Sequence, residues 1–170
     1  MTITADAARA TVIRQRIFEL ITNANLSLVA ERIQVCSTLW GAPSIAPAQN
    51  PIGHGFASCV EIQYPQTEEQ VEATARDVET VTVPIRVLAP TGDMNDVQDG
   101  ADYVLRTIEL CRRTLRNSDK VALGLNMFGV VPGAIHFSGT ATPEVVNTGI
   151  VEATFSVSVK VRFEETVALT

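Results

Sequence analysis

Near the end of the chain, Ala153, Phe155, Val157, Val159, Val161 and Phe163 alternate without interruption with Glu152, Thr154, Ser156, Ser158, Lys160 and Arg162. A period of two is the signature of a strand, because successive side chains of extended backbone point to opposite faces. Held over twelve residues, it predicts a strand about 40 Å long at roughly 3.3 Å per residue. That is about twice the usual length. One face is apolar throughout and the other polar throughout, so the strand belongs in an antiparallel sheet with a core on one side and water or a wet interface on the other.

The rest of the chain is read around that strand. A first helix is expected over about Thr4 to Asn23, capped by Thr4 or Asp6, with Val12, Ile13, Ile17, Leu20 and Ile21 at helical spacing. Ile33, Val35, Ser37 and Leu39 alternate and suggest a short strand. Val60, Ile62 and Tyr64 predict another, ended by Pro65, and Thr67–Asp77 reads as a short helix or an acidic loop. Val81, Val83, Ile85 and Val87 share one face of a strand whose Pro84 lacks a ladder donor. That strand should lie at an edge, or turn the proline's amide position outward. The clearest helix runs from Asp99 or Ala101 to Asn117, with Val104, Ile108, Cys111 and Leu115 as one stripe. Its acids stand at the start and its arginines at the end, complementing the helix dipole. Beyond it, alternation at Val121, Leu123, Leu125 and Met127 predicts a strand, Val131-Pro132-Gly133 a turn, Ile135 and Phe137 a second strand, and Gly139–Gly149 a polar loop. The expected fold is α+β, one domain over residues 1–170: a mostly antiparallel sheet, ending in a meander, with two main helices packed on one face.

Two stretches resist regular structure. Gly41–Gly55, the centre of a loop over about 41–58, holds three prolines and three glycines in fifteen residues. Residues 89–100 form a second turn-rich loop. Loops this long inside one domain are uncommon and tend to be functional.

Charge narrows the function. Only 19% of residues are charged, against roughly 25% in a typical soluble protein. The net charge is −6, which disfavours binding to nucleic acid by phosphate neutralisation. Between Glu61 and Asp102 ten carboxylates face two arginines, whereas five of the thirteen basic residues fall between Arg106 and Lys120. Helix capping, and pairing with the acidic segment of a neighbour, account for those arginines better than a phosphate site. Three scattered cysteines, Cys36, Cys59 and Cys111, favour a reducing compartment. The N-terminus lacks the order of a signal peptide, and no apolar run approaches a membrane span.

Catalytic and metal chemistry find no footing. The histidines, His54 and His136, have no second ligand at metal spacing, and nothing places His54 beside Cys36 or Cys59 as a nucleophile's base. Asp93 and Asn95 fit the start of a calcium loop, but Val97 and a missing closing glutamate do not. No phosphate-cradling glycine motif occurs. The expectation is a protein that is not an enzyme and carries no cofactor or metal.

The block VTVPIRVLAPTGDMNDVQDGADYVLRTIELCRRTL, followed by VALGLNMFGVVPGAIHFSGT and GIVEATFSVSVKVRFEE, resembles the bacteriophage tail terminator (tail-completion, head–tail joining) proteins in element order and size. The similarity covers roughly Val60 to Glu165. It implies a structural virion protein of the tail and neck, assembled in the bacterial cytoplasm. Such a protein forms a homohexameric ring that caps the tail tube, joins the head connector and lets DNA pass without specific binding. The alternatives are another neck or tail ring component, such as a connector adaptor or sheath-associated protein, and a small-molecule binding domain. In such a ring, Pro43, Pro47, Pro51 and His54 of the loop, with Ser156, Ser158, Lys160 and Arg162 of a final strand that crosses to a neighbour, are the expected interface. Asp93, Asp96 and Asp99 are the expected acidic lining of its lumen. Arginine outnumbers lysine eleven to two, the direction in which interfaces are biased.

Overall fold

The computed structural model describes residues 8–24, 33–37, 58–73, 76–90, 97–126, 129–139, 141–147 and 149–163. The elements in chain order are α1 (Arg9–Asn23), β1 (Ile33–Ser37), β2 (Ser58–Ile62), β3 (Gln66–Ala73), β4 (Arg76–Pro90), α2 (Val97–Asp119), a 3-10 turn (Ala122–Gly124), β5 (Val130–Ser138), β6 (Glu144–Asn147) and β7 (Ile150–Phe163). The fold is α+β: β1–β2–β4–β7–β5 form the main path of the sheet, β3 joins β4, and β6 joins β7. Every pairing is antiparallel except β1 with β2.

The long alternating segment is the backbone of the sheet. β7 pairs with β4 from Ile150 opposite Pro90 to Phe163 opposite Asp77. Val151, Ala153, Phe155, Val157, Val159 and Val161 are all buried in one core with Val81, Val83, Ile85 and Val87 of β4. Val12, Ile13, Ile17 and Ile21 of α1 and Val104, Ile108, Cys111 and Leu115 of α2 close that core, so both helices lie on the same face. Burial of this apolar area is the main stabilising term, and it drives the Cys111 thiol up to about 12.

Several expectations are corrected. Residues 66–73 are neither helix nor loop: β3 pairs with the first half of β4, which β2 is too short to reach. Its acidic sequence suits an edge strand, where charge discourages further pairing. β4 is therefore central. Its Pro84 is tolerated because the carbonyl of that residue accepts from Gln63 N–H at 3.0 Å, so the missing donor faces the irregular stretch between β2 and β3. Arg14 of α1 closes the same break, its guanidinium donating to the carbonyls of Ile62 and Gln63, both at 2.9 Å. Residues 144–147, expected in a loop, are β6, which turns tightly into β7 through Gly149 at φ 95°.

Where a strand is expected over 121–127, residues 122–124 form a left-handed turn, with φ of 53° at Ala122, 56° at Leu123 and 71° at Gly124, and Met127 lies outside the described residues. Ala122, Leu123 and Leu125 are all buried, so the alternation there does not mark two faces. Arg16 Nε fixes the turn by donating to the Leu123 carbonyl at 2.8 Å. Without that strand there is no terminal meander; β6 and β5 instead line one edge of β7 in succession. The turn expected at Val131-Pro132-Gly133 lies inside β5 as the irregularity between Val130 and Ile135. α1 starts at Arg9 with Ala8 at its N-cap and no side-chain cap bond. Thr4, Asp6, Leu39 and the loop 41–55 lie outside the described residues.

Two glycines test the path into and through β5. A Cβ at Gly129 would stand 2.3 Å from the Arg162 carbonyl oxygen, at φ +84°, whereas one at Gly133, φ +79°, meets open space. Gly133→Ala should therefore cost about 1 kcal/mol, the left-handed penalty alone. Gly129→Ala should cost about 3 kcal/mol, because backbone must move. Urea unfolding of the two variants measures the difference.

Candidate interaction surfaces

The even-numbered residues of β4 and β7 point away from the helices. On that face the register aligns Gln66, Thr82, Ser158 and His136 in one row across four strands. Thr82 and Ser158 share a hydroxyl hydrogen bond of 2.9 Å, and His136 is exposed, as its alternation with core residues requires. The next row places exposed Glu68 and Lys160 either side of Thr80. Ser156 lies between Pro84 and Ser138, and Arg162 is exposed at the end of the strand.

The four predicted β7 interface residues thus share one polar surface. Within the chain β4 occupies one edge of β7 along its whole length, and β6 and β5 pair along the other. Pro43, Pro47, Pro51 and His54 lie outside the described residues.

Beneath this surface sits an ionic cluster that periodicity does not signal. Glu61 is fully buried within β2, on the face away from the helices. It lies opposite Arg86, whose guanidinium is 3.7 Å from its carboxylate. Arg86 also pairs diagonally with Glu152 on β7, its Nε donating at 2.5 Å. Cys59, Leu88 and Ile150 form a small apolar cluster beside it. One arginine therefore ties three strands together on the side opposite the main core.

Two grooves flank α2. Near its start a pocket of about 290 Å³ is lined by Asp99, Asp102, Tyr103 and Arg106. Asp99, predicted to line an acidic lumen, is exposed there and shares its pocket with a cation; Asp93 and Asp96 lie outside the described residues. Farther along, a groove of about 770 Å³ runs between α2 and the end of β5, with Arg112, Arg113 and Arg116 on one wall and Gly139 and Ala141 on the other. Arg112 does not sit away from the apolar stripe, as helical spacing suggests. It is half-buried, with its guanidinium over the rings of Phe155 at 5.0 Å and Phe137 at 5.9 Å. Arg116 lies over Phe137 at 5.1 Å. Among the described residues the buried Nε of Arg112 has no hydrogen-bond partner.

Among the described residues no group of three or more His, Cys, Asp or Glu is placed to hold a metal ion, and no helix is long and apolar enough to cross a membrane. Cys59 and Cys111 are both buried. No protein-family model matches the chain, and no curated protein matches it in sequence.

Proposed function

We propose that this chain is a structural subunit of a phage virion, a tail terminator whose ring caps the tail tube and joins it to the head connector. The observation that carries the reading is the division of the sheet: both helices cover one face, and on the other, beyond the buried Cys59, Glu61 and Leu88, the rows through Thr82, Ser156 and Ser158 form a polar surface with His136, Lys160 and Arg162 around them. Such a face suits a wet protein interface, where polar side chains and bridging water share the contact. The resemblance in element order over Val60 to Glu165 supplies the partners: the tail tube protein, the connector, and copies of the chain itself. DNA passes through the ring without specific binding, consistent with a net charge of −6.

Size-exclusion chromatography with light scattering tests this. A ring of six 18.3 kDa subunits gives about 110 kDa, and negative-stain images should show a closed ring with a central hole. A monomer at every concentration, with no ring in the images, would overturn the proposal.

A further inference from the structure

We infer that copies of this chain meet edge to edge, with the Arg112–Arg116 groove of one copy seated on the acidic β3 edge of the next. The inference rests on the ring reading above and gives it a specific contact.

The groove is built to receive an acceptor. Arg112 is held in place by two aromatic faces, yet among the described residues its buried Nε has no acceptor. A buried, unsatisfied guanidinium donor is costly, and native structures rarely leave one without a partner. Arg113 pairs with Glu109 at 3.1 Å, but neither Arg112 nor Arg116 forms an ion pair among the described residues. The groove is therefore cationic on a chain that is acidic overall. Planar guanidinium groups fixed by stacking favour carboxylates, which they bind through two parallel hydrogen bonds.

Carboxylates are concentrated where the sheet ends on its other side. β3 carries Glu68, Glu69 and Glu72 in eight residues, and among the described residues it pairs only with β4. The order across this part of the sheet is β3, β4, β7, β5. The groove lies beside β5. Opposite charges thus stand on opposite edges of one subunit. Patches on opposite edges cannot share one isologous two-fold interface, whereas a head-to-tail contact joins unlike edges and repeats around a ring. This placement selects a second copy, rather than a small anion, as the occupant.

The test is a charge exchange on the full chain. In sedimentation velocity, R112E/R116E and E68K/E69K/E72K should each raise the assembly midpoint concentration at least about tenfold, the effect of losing one central charged contact. Each has lost complementarity with itself. Mixed in equal amounts, they should assemble again as an alternating ring, because both kinds of contact in the mixture are then unlike-charged. Circular dichroism verifies that each variant is folded; if R112E/R116E is not, R116E at the exposed Arg116 replaces it. Wild-type-like assembly of either folded variant alone, or a mixture that stays monomeric, overturns the inference while leaving the ring intact. Recovery of R112E/R116E by inorganic phosphate or citrate, without the lysine variant, would also overturn it. A wild type that is monomeric throughout overturns both this contact and the ring.

Discussion

Arg86→Met should lower the unfolding free energy by about 3–5 kcal/mol, the cost of stranding a buried charge when its partner is removed. The carboxylate left behind is that of Glu61, which is 0% exposed. Its attachment to Arg86 at 3.7 Å is supplemented by Gln63 Nε2 at 3.4 Å, an uncharged donor that does not replace a guanidinium. Removing both charges should do far less harm. In Glu61→Leu/Arg86→Met the buried carboxylate is gone, and replacing a buried pair by apolar groups of similar volume is often neutral or stabilising. Glu152→Gln should cost about 1 kcal/mol, because Glu152 is partly exposed and water competes for Arg86. Urea unfolding of the wild type, Glu61→Leu, Arg86→Met and the double variant closes the cycle, with Glu152→Gln measured beside it. If Arg86→Met and the double variant are equally destabilised, the charge on Glu61 is not what the arginine offsets.

The ionic cluster also shows where sequence pattern stops being informative. Alternation located β2, β4 and β7 and assigned Glu61, Arg86 and Glu152 to the polar side of their strands. It does not reveal that Glu61 is buried or that the three meet, because both depend on which strands are neighbours and in what register. The helical stripe of α2 was legible for the same reason as β7: a long, strongly periodic segment has few ways to bury its apolar side. Where periodicity was short it misled. Val121, Leu123 and Leu125 mimic a strand, yet three residues of left-handed backbone held by Arg16 put both Ala122 and Leu123 inside. Glu68 and its neighbours carry almost no apolar signal, so only the unpaired half of a fifteen-residue β4 shows that a strand belongs there. The arginine groove was half visible. Composition marks a basic cluster on α2, but the rings that hold Arg112 come from β5 and β7, far away in sequence.

Phe155 joins the two halves of the molecule's logic, since it is both the largest fully buried side chain among the described residues and the floor beneath Arg112. Phe155→Ala should cost about 3–5 kcal/mol, combining lost transfer energy with a cavity between α2 and the sheet. Part of that is specific to the ring. Phe155 meets Phe137 with centroids 6.2 Å apart and planes tilted by 53°, a geometry worth about 0.5–1.5 kcal/mol beyond burial. The guanidinium above it adds about 0.5–2 kcal/mol. Phe155→Leu keeps most of the apolar volume and removes the aromatic face, so it should fold with a smaller loss while leaving Arg112 less firmly placed. Comparing Phe155→Leu, Arg112→Met and their combination by thermal and urea unfolding isolates the stacking energy as the failure of the two losses to add. Additive losses would mean that the ring only fills space. A coupling of about 1 kcal/mol or more would mean that the core strand positions the arginine, so that a change on the buried face of β7 reaches the groove on the outside of α2.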